Sequence, residues 1–266
     1  MHKLLLLFAL ICVYAEIKAQ DRVFTFTYQS GVLNKGQKEI EVWTTLSGGR
    51  NNFYKELDHS LEFEIGLGGK LQTSFYLNYG SSSAVSEEYG IQVLNNSTDY
   101  SFSNEWKLKF TDPVADRIGS SLYFEYSLAP TSTAFEGKFI LDKQMGKFTH
   151  AFNLVGEYEI ARQFILDGTK LKSENEGEFT LELNYGLSYK IRDHLNLGVE
   201  AMSQNRISGT IVEHSVLLMG PALSYSTNGF WINLTCMPQI TNLKGGGLEL
   251  NDHERLQTRL IFSYEF

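Results

Sequence analysis

The residues whose spacing most invites a chemical reading are carboxylates set two positions apart. Glu39 and Glu41 flank Ile40, and Glu62 and Glu64 flank Phe63. In a β-strand this spacing puts both acids of a pair on one face and the apolar residue on the other. Strands near 39–46 and 57–67, joined by Ser47 to Glu56, would pair antiparallel with residue 46 near 57. That register sets Glu41 near Glu62 and Glu39 near Glu64. Facing like charges destabilise a sheet, so the cluster persists only if water, a bound cation or a base such as Arg259 relieves it. In a narrow pore an acidic cluster concentrates cations and excludes anions.

Other chemistry is thinly represented. The sequence has no His-Glu-x-x-His, no Gly-x-Ser-x-Gly and no phosphate-binding Gly-x-x-x-x-Gly-Lys, so no catalytic residue, metal ligand or cofactor is expected. His59, His150 and His214 share parity with the outward apolar set and fall at the first residues of their strands, which suits an interfacial ring better than a lipid hydrolase. His214 and Ser215 are neighbours and point to opposite faces, so they form no pair. A net charge of -8 and a pI near 5.3 exclude nucleic acid as a partner. Cys12 falls in the leader and follows Ile11, where lipidation wants a small residue; Cys236 is then left without a disulfide partner.

The elements that must position these acids are strands. Leu61, Phe63, Ile65 and Leu67 alternate with Ser60, Glu62, Glu64 and Gly66. The same alternation recurs at 122–128, 152–160 and 179–190. Residues 1–19 read as a cleaved signal peptide, with Lys3, an apolar run from Leu4 to Tyr14 and Ala19 before the cut. Residues 20–38 read as an N-terminal periplasmic segment, and 39–266 as a closed antiparallel barrel of about twelve strands. Strands are expected near 39–46, 57–67, 70–79, 104–111, 119–128, 134–142, 148–160, 178–191, 195–203, 214–225, 229–238 and 256–266. Tight turns such as Gly68-Gly69 and Asn228-Gly229 alternate with mostly longer links such as 81–103, 161–177 and 241–255. In an outer-membrane barrel the tight turns and both termini are periplasmic. A secreted soluble sandwich would also alternate, but its strands average about 5 to 6 residues.

The chain ends Arg259-Leu-Ile-Phe-Ser-Tyr-Glu-Phe266. Arg259, Tyr264 and Phe266 resemble the C-terminal signal read by the barrel-assembly machinery, although Ile261 stands where that signal often has glycine. Leu33 to Trp43, Glu62 to Leu67, Leu71-Gln72 and Tyr76 to Tyr79 resemble an uncharacterised family of Gram-negative outer-membrane barrels. The resemblance implies the barrel fold and brings no activity with it.

The functional expectation is a small outer-membrane pore or transport barrel in a Gram-negative bacterium, with outer-membrane lipid around it and small solutes or cations within. On the lumen parity, carboxylates from Glu39 to Glu265 outnumber Lys107, Lys109, Lys138, Lys190 and Arg259 by about two to one. A plugged structural or interaction barrel is the first alternative. A channel for hydrophobic compounds is the second, resting on an inner stripe of Met219, Trp231 and Met237. Against the stripe, a bulge near Pro221 that switches parity would leave no inward apolar strip in strand 214–225.

Overall fold

The computed structural model describes residues 22–88, 91–168 and 170–266, so the expected signal peptide lies outside the described residues. Twelve strands follow one another: β1 Lys38–Gly48, β2 Tyr54–Gly68, β3 Leu71–Glu88, β4 Ile91–Thr111, β5 Gly119–Leu128 and β6 Ser132–Met145, then β7 Phe148–Asp167, β8 Lys170–Arg192, β9 Leu195–Ser208, β10 Ile211–Thr227, β11 Phe230–Asn242 and β12 Leu256–Glu265. Each pairs antiparallel with its sequence neighbours, and β1 closes the ring on β12. Closure satisfies every ladder without an open edge, which a wall in lipid requires. Among the described residues no helix is long and apolar enough to cross a membrane.

Side-chain alternation runs opposite to that of a soluble domain. In β1, Glu39 and Glu41 are buried while Ile40 and Val42 are exposed. Leu77, Phe124 and Leu154 are likewise exposed on the outer wall, and a continuous apolar exterior of this kind needs lipid against it. Aromatic rings gather at both rims. Phe148 and Tyr189 pack at the turn end with centroids 4.9 Å apart, and Tyr79 and Tyr100 at 5.3 Å toward the loop end.

All twelve expected strands are present, but several are longer than the sequence pattern suggests. The link expected at 81–103 is a hairpin that stays paired out to Glu88↔Ile91. The links at 161–177 and 204–213 are likewise paired to Asp167↔Lys170 and Ile211↔Ser208. Stretches such as Ser81-Ser82-Ser83 and Asn95-Asn96-Ser97 are polar on both faces, so alternation fades although backbone pairing continues. A genuinely irregular link remains between β11 and β12.

Strand β10 departs from expectation in a second way. Its register slips against β9 between Val212 and His214, and against β11 between Leu217 and Leu218. Even so, Val216, Leu218, Ala222 and Ser224 all stay buried, so no parity switch occurs and an inward apolar strip exists. Met219 belongs to the outer face and is 41% exposed, whereas Trp231 and Met237 are buried inside. His214, expected outside, is turned inward by the slip beside it and packs edge-on to His253 at 5.2 Å.

Within the N-terminal segment, the stretch from Arg22 to Leu33 is folded into the turn end of the lumen, with Phe24, Thr25 and Thr27 fully buried.

Candidate functional site: a plugged, acid-lined lumen

The sealing segment is held mainly through its backbone. Residues 25–27 form consecutive bends that aim three amides at one carboxylate. Thr25 N donates to Glu200 Oε1 at 2.8 Å, and Phe26 N and Thr27 N donate to Oε2 at 2.8 and 2.7 Å. The Thr235 hydroxyl adds a bond to Oε1 at 2.6 Å. A nest of amides suits a carboxylate because all the dipoles converge on the charge. Further along, Asn153 accepts from Tyr28 N at 2.6 Å and donates to Tyr28 O at 2.9 Å. Ser30 donates to Asp142 through its amide and its hydroxyl, and Leu33 N donates to Gln72 Oε1 at 2.8 Å.

The wall is shaped for this segment. A Cβ on Gly186 would meet the Phe24 ring at 2.7 Å, and one on Gly66 would meet the Asn34 carbonyl oxygen at 2.0 Å. Any side chain at either place would displace the seal. Aromatic rings of the segment also carry wall cations: Lys138 lies 4.0 Å from the Tyr28 ring centroid and Arg259 lies 4.1 Å from that of Phe26. Burial pushes the Tyr28 phenol above its usual range, against the pull of Lys138 and Arg22, so it stays neutral.

The structure sets Glu39 opposite Glu64 and Glu41 opposite Glu62, with all four buried beneath the seal. Arg259 is not their counter-charge. Register places it opposite Thr45, whereas Glu41 and Glu39 face Ser263 and Glu265, so Arg259 stands rows away and bonds Thr45 Oγ1 at 2.9 Å. The base that does approach is Arg22, with Nη1 3.5 Å from Glu41 Oε2 and its guanidinium between the Tyr28 and Trp43 rings. Burial works against the charge of Arg22, but Tyr28, Glu41 and Glu62 outweigh it and hold its pKa above the ordinary value. Indole donors complete the patch: Trp43 Nε1 to Glu41 at 2.6 Å and Trp231 Nε1 to Glu39 at 2.7 Å.

Above the seal the lumen opens. Adjoining cavities of about 780, 360 and 360 Å³ share wall residues and rise toward the loop end. Phe26, Tyr28 and Trp43 lie at the base, and Asp58, Glu125, Glu136, Glu157 and Glu182 line the sides. Lys138 pairs with Glu136 at 2.7 Å and Arg206 with Glu178, so the acid excess is partly compensated. Sequence reasoning put Glu200 among the lumen acids but missed the seal that it anchors, although the strand-like alternation of Phe24, Phe26 and Tyr28 marked a second apolar face. On the outer wall His59 stacks on Tyr79 and His150 bonds the Tyr185 hydroxyl at 2.8 Å. Tyr264 and Phe266 are stacked and exposed at the rim.

A family model described as "Family of unknown function" (DUF6662) matches residues 16–266. The chain belongs to the DUF6662 family. No curated protein matches the sequence. The barrel of this DUF6662 member is similar to solved structures of outer-membrane proteins. An outer membrane channel from Pseudomonas putida F1 is 10% identical with a TM-score of 0.59, covering 91% of this chain and 100% of that one. The translocator domain of the autotransporter NalP from Neisseria meningitidis is 14% identical with a TM-score of 0.58, covering 88% and 90%. The NanC porin is 11% identical with a TM-score of 0.50, covering 85% and 98%. At these identities the likeness establishes the fold.

Proposed function

We propose that this protein is a gated outer-membrane pore for small cationic solutes, with its N-terminal segment as the gate. The observation that carries the reading is the wall behind the segment. Ser121 Oγ and Ser224 Oγ are buried there without a hydrogen-bond partner. A permanent plug gains nothing from such groups, whose burial unpaired is costly, whereas water satisfies them once the segment leaves. The apolar exterior, the aromatic rims and the kinship in fold with a channel and a porin support an outer-membrane location, with tight turns, termini and gate on the periplasmic side. Acids along the open chamber supply the cation preference. The outward placement of Met219 argues against a greasy conduit for hydrophobic compounds.

Planar-bilayer recording of the mature chain and of a variant lacking residues 22–33 tests the gate. The intact protein should be mostly silent. The truncated one should conduct steadily, with a reversal potential in a salt gradient that marks cation preference. A truncated barrel that inserts and stays silent would instead be a structural or interaction barrel, and anion preference would refute the charge assignment. The C-terminal residues are proposed to be read by the barrel-assembly machinery, so Phe266→Ala should lower the amount assembled in the outer membrane. Unchanged surface levels would remove that assignment.

A further inference from the structure

We propose that the floor of the lumen binds one hard divalent cation, with Ca²⁺ as the type ion, between Glu62, Glu64 and Glu105. The register builds the site. Glu64 of β2 pairs with Ser74 of β3, which pairs in turn with Glu105 of β4. The small serine leaves room above it, so the flanking glutamates converge, and Glu62 joins them two residues back along β2. Carboxylate oxygens of these three residues lie within 4.8 Å of one another. A cation held about 2.3 to 2.6 Å from each ligand puts its oxygens at most about 5 Å apart, so the spacing suits Ca²⁺.

Two further observations point to a ligand rather than to a mere acidic cluster. Both oxygens of Glu62, which is fully buried, receive no hydrogen bond from an amide, a hydroxyl or a basic side chain. Ser74 Oγ, equally buried and set between Glu64 and Glu105 in the register, also lacks a partner. The available donors are spent on the other two acids, with Gln72 Nε2 bonding Glu64 at 2.8 Å and the Tyr76 hydroxyl bonding Glu105. Arg22 goes to Glu41 instead. Among the described residues no lysine or arginine nitrogen lies within 4.0 Å of the Glu62, Glu64 or Glu105 carboxylates. A buried carboxylate with no such donor, as Glu62 is, is strongly unfavourable, and a dication coordinated by oxygens offsets its burial. The donor set is all oxygen, which selects Ca²⁺ or Mg²⁺ over soft metals. The site adjoins the seal through Gln72, whose amide oxygen accepts from Leu33 N, and it stands whether or not the lumen conducts.

The test uses the mature chain, stripped with EDTA in detergent and incubated to equilibrium with Ca²⁺ near neutral pH. Equilibrium dialysis should give about one tightly held Ca²⁺ per chain. Tb³⁺ should replace it and luminesce on excitation of Trp43 and Trp231, whose indoles bond the neighbouring Glu41 and Glu39. Glu62→Gln should weaken binding by more than about tenfold, and Ser74→Ala should weaken it by a smaller factor with the barrel intact by heat-shifted mobility. Asp193→Asn, in the exposed turn between β8 and β9, should leave binding unchanged. A folded chain that takes up no Ca²⁺ and responds only to pH would show that the acids share protons, overturning the site. Equal binding by folded Glu62→Gln would do the same.

Discussion

Glu200 and Glu157 face the same lumen under opposite conditions. Glu200 is fully buried and takes three backbone amides and two threonine hydroxyls from the seal and the wall. Glu157 is half-buried on the side of the open chamber, opposite Glu136 across the ladder. One residue type thus acts as an anchor where the N-terminal segment excludes water and as a source of field where it does not. What separates them is the reach of twelve residues entering from one end.

That comparison can be broken most directly by deleting one acid from each half. Glu200→Ala leaves the amides of residues 25–27 buried without an acceptor, at about 1 to 3 kcal/mol each. The seal should unseat, with hydrogen exchange at residues 25–27 rising by orders of magnitude and open-channel currents appearing in the full-length chain. Glu157→Ala removes a like charge from across Glu136 and should change barrel stability by no more than about 0.5 kcal/mol. Measuring exchange and unfolding midpoints for both variants in the same detergent checks the contrast. Equal effects from the two would mean that the seal is held by its rings rather than by its amides.

The sequence shows the barrel because lipid enforces a period of two wherever a strand crosses it. Leu61 to Leu67, the alternating closing strand before Phe266, and the Asn228-Gly229 turn, where Gly229 has φ 89°, are all local signals. The hairpin between β3 and β4 is illegible by that rule where stretches such as Ser81-Ser82-Ser83 are polar on both faces and only backbone pairing persists. The register of Glu39 and Glu41 with Glu64 and Glu62 is readable from one short link. Arg259 is misassigned because adjacency of β12 to β1 does not fix the row. The seal is hidden for a third reason: its partners lie far along the chain, with Thr25 bonding Glu200 across 175 positions and Tyr28 bonding Asn153 across 125. Local patterning carries no trace of such pairs.

The smallest lever on the sealed half is the β4–β5 turn, which backs onto it. The Asp112 carboxylate accepts from Lys109 Nζ at 2.6 Å, Val114 N at 2.8 Å and Ala115 N at 3.0 Å. The Lys109 bond, followed by those two amides, holds its pKa well below the usual carboxylate range. A depressed folded pKa means that the stabilisation is complete above the ordinary value, near about 4, and is lost as pH falls through the folded one. The turn reaches the seal through Gly119, where an added Cβ would meet Pro113 N at 2.8 Å and Ser30 Oγ at 2.6 Å. The Asp112 side chain is 41% exposed, so Asp112→Asn should lower stability by at most about 1 kcal/mol near neutral pH. Exchange at Ser30 should rise slightly while that at residues 25–27 stays put. Unfolding midpoints of wild type and variant, followed from pH 7 downward, should differ by a constant amount at first and draw together below about pH 4. A gap that keeps its size through that range would mean that the turn depends on the shape of Asp112 and not on its charge.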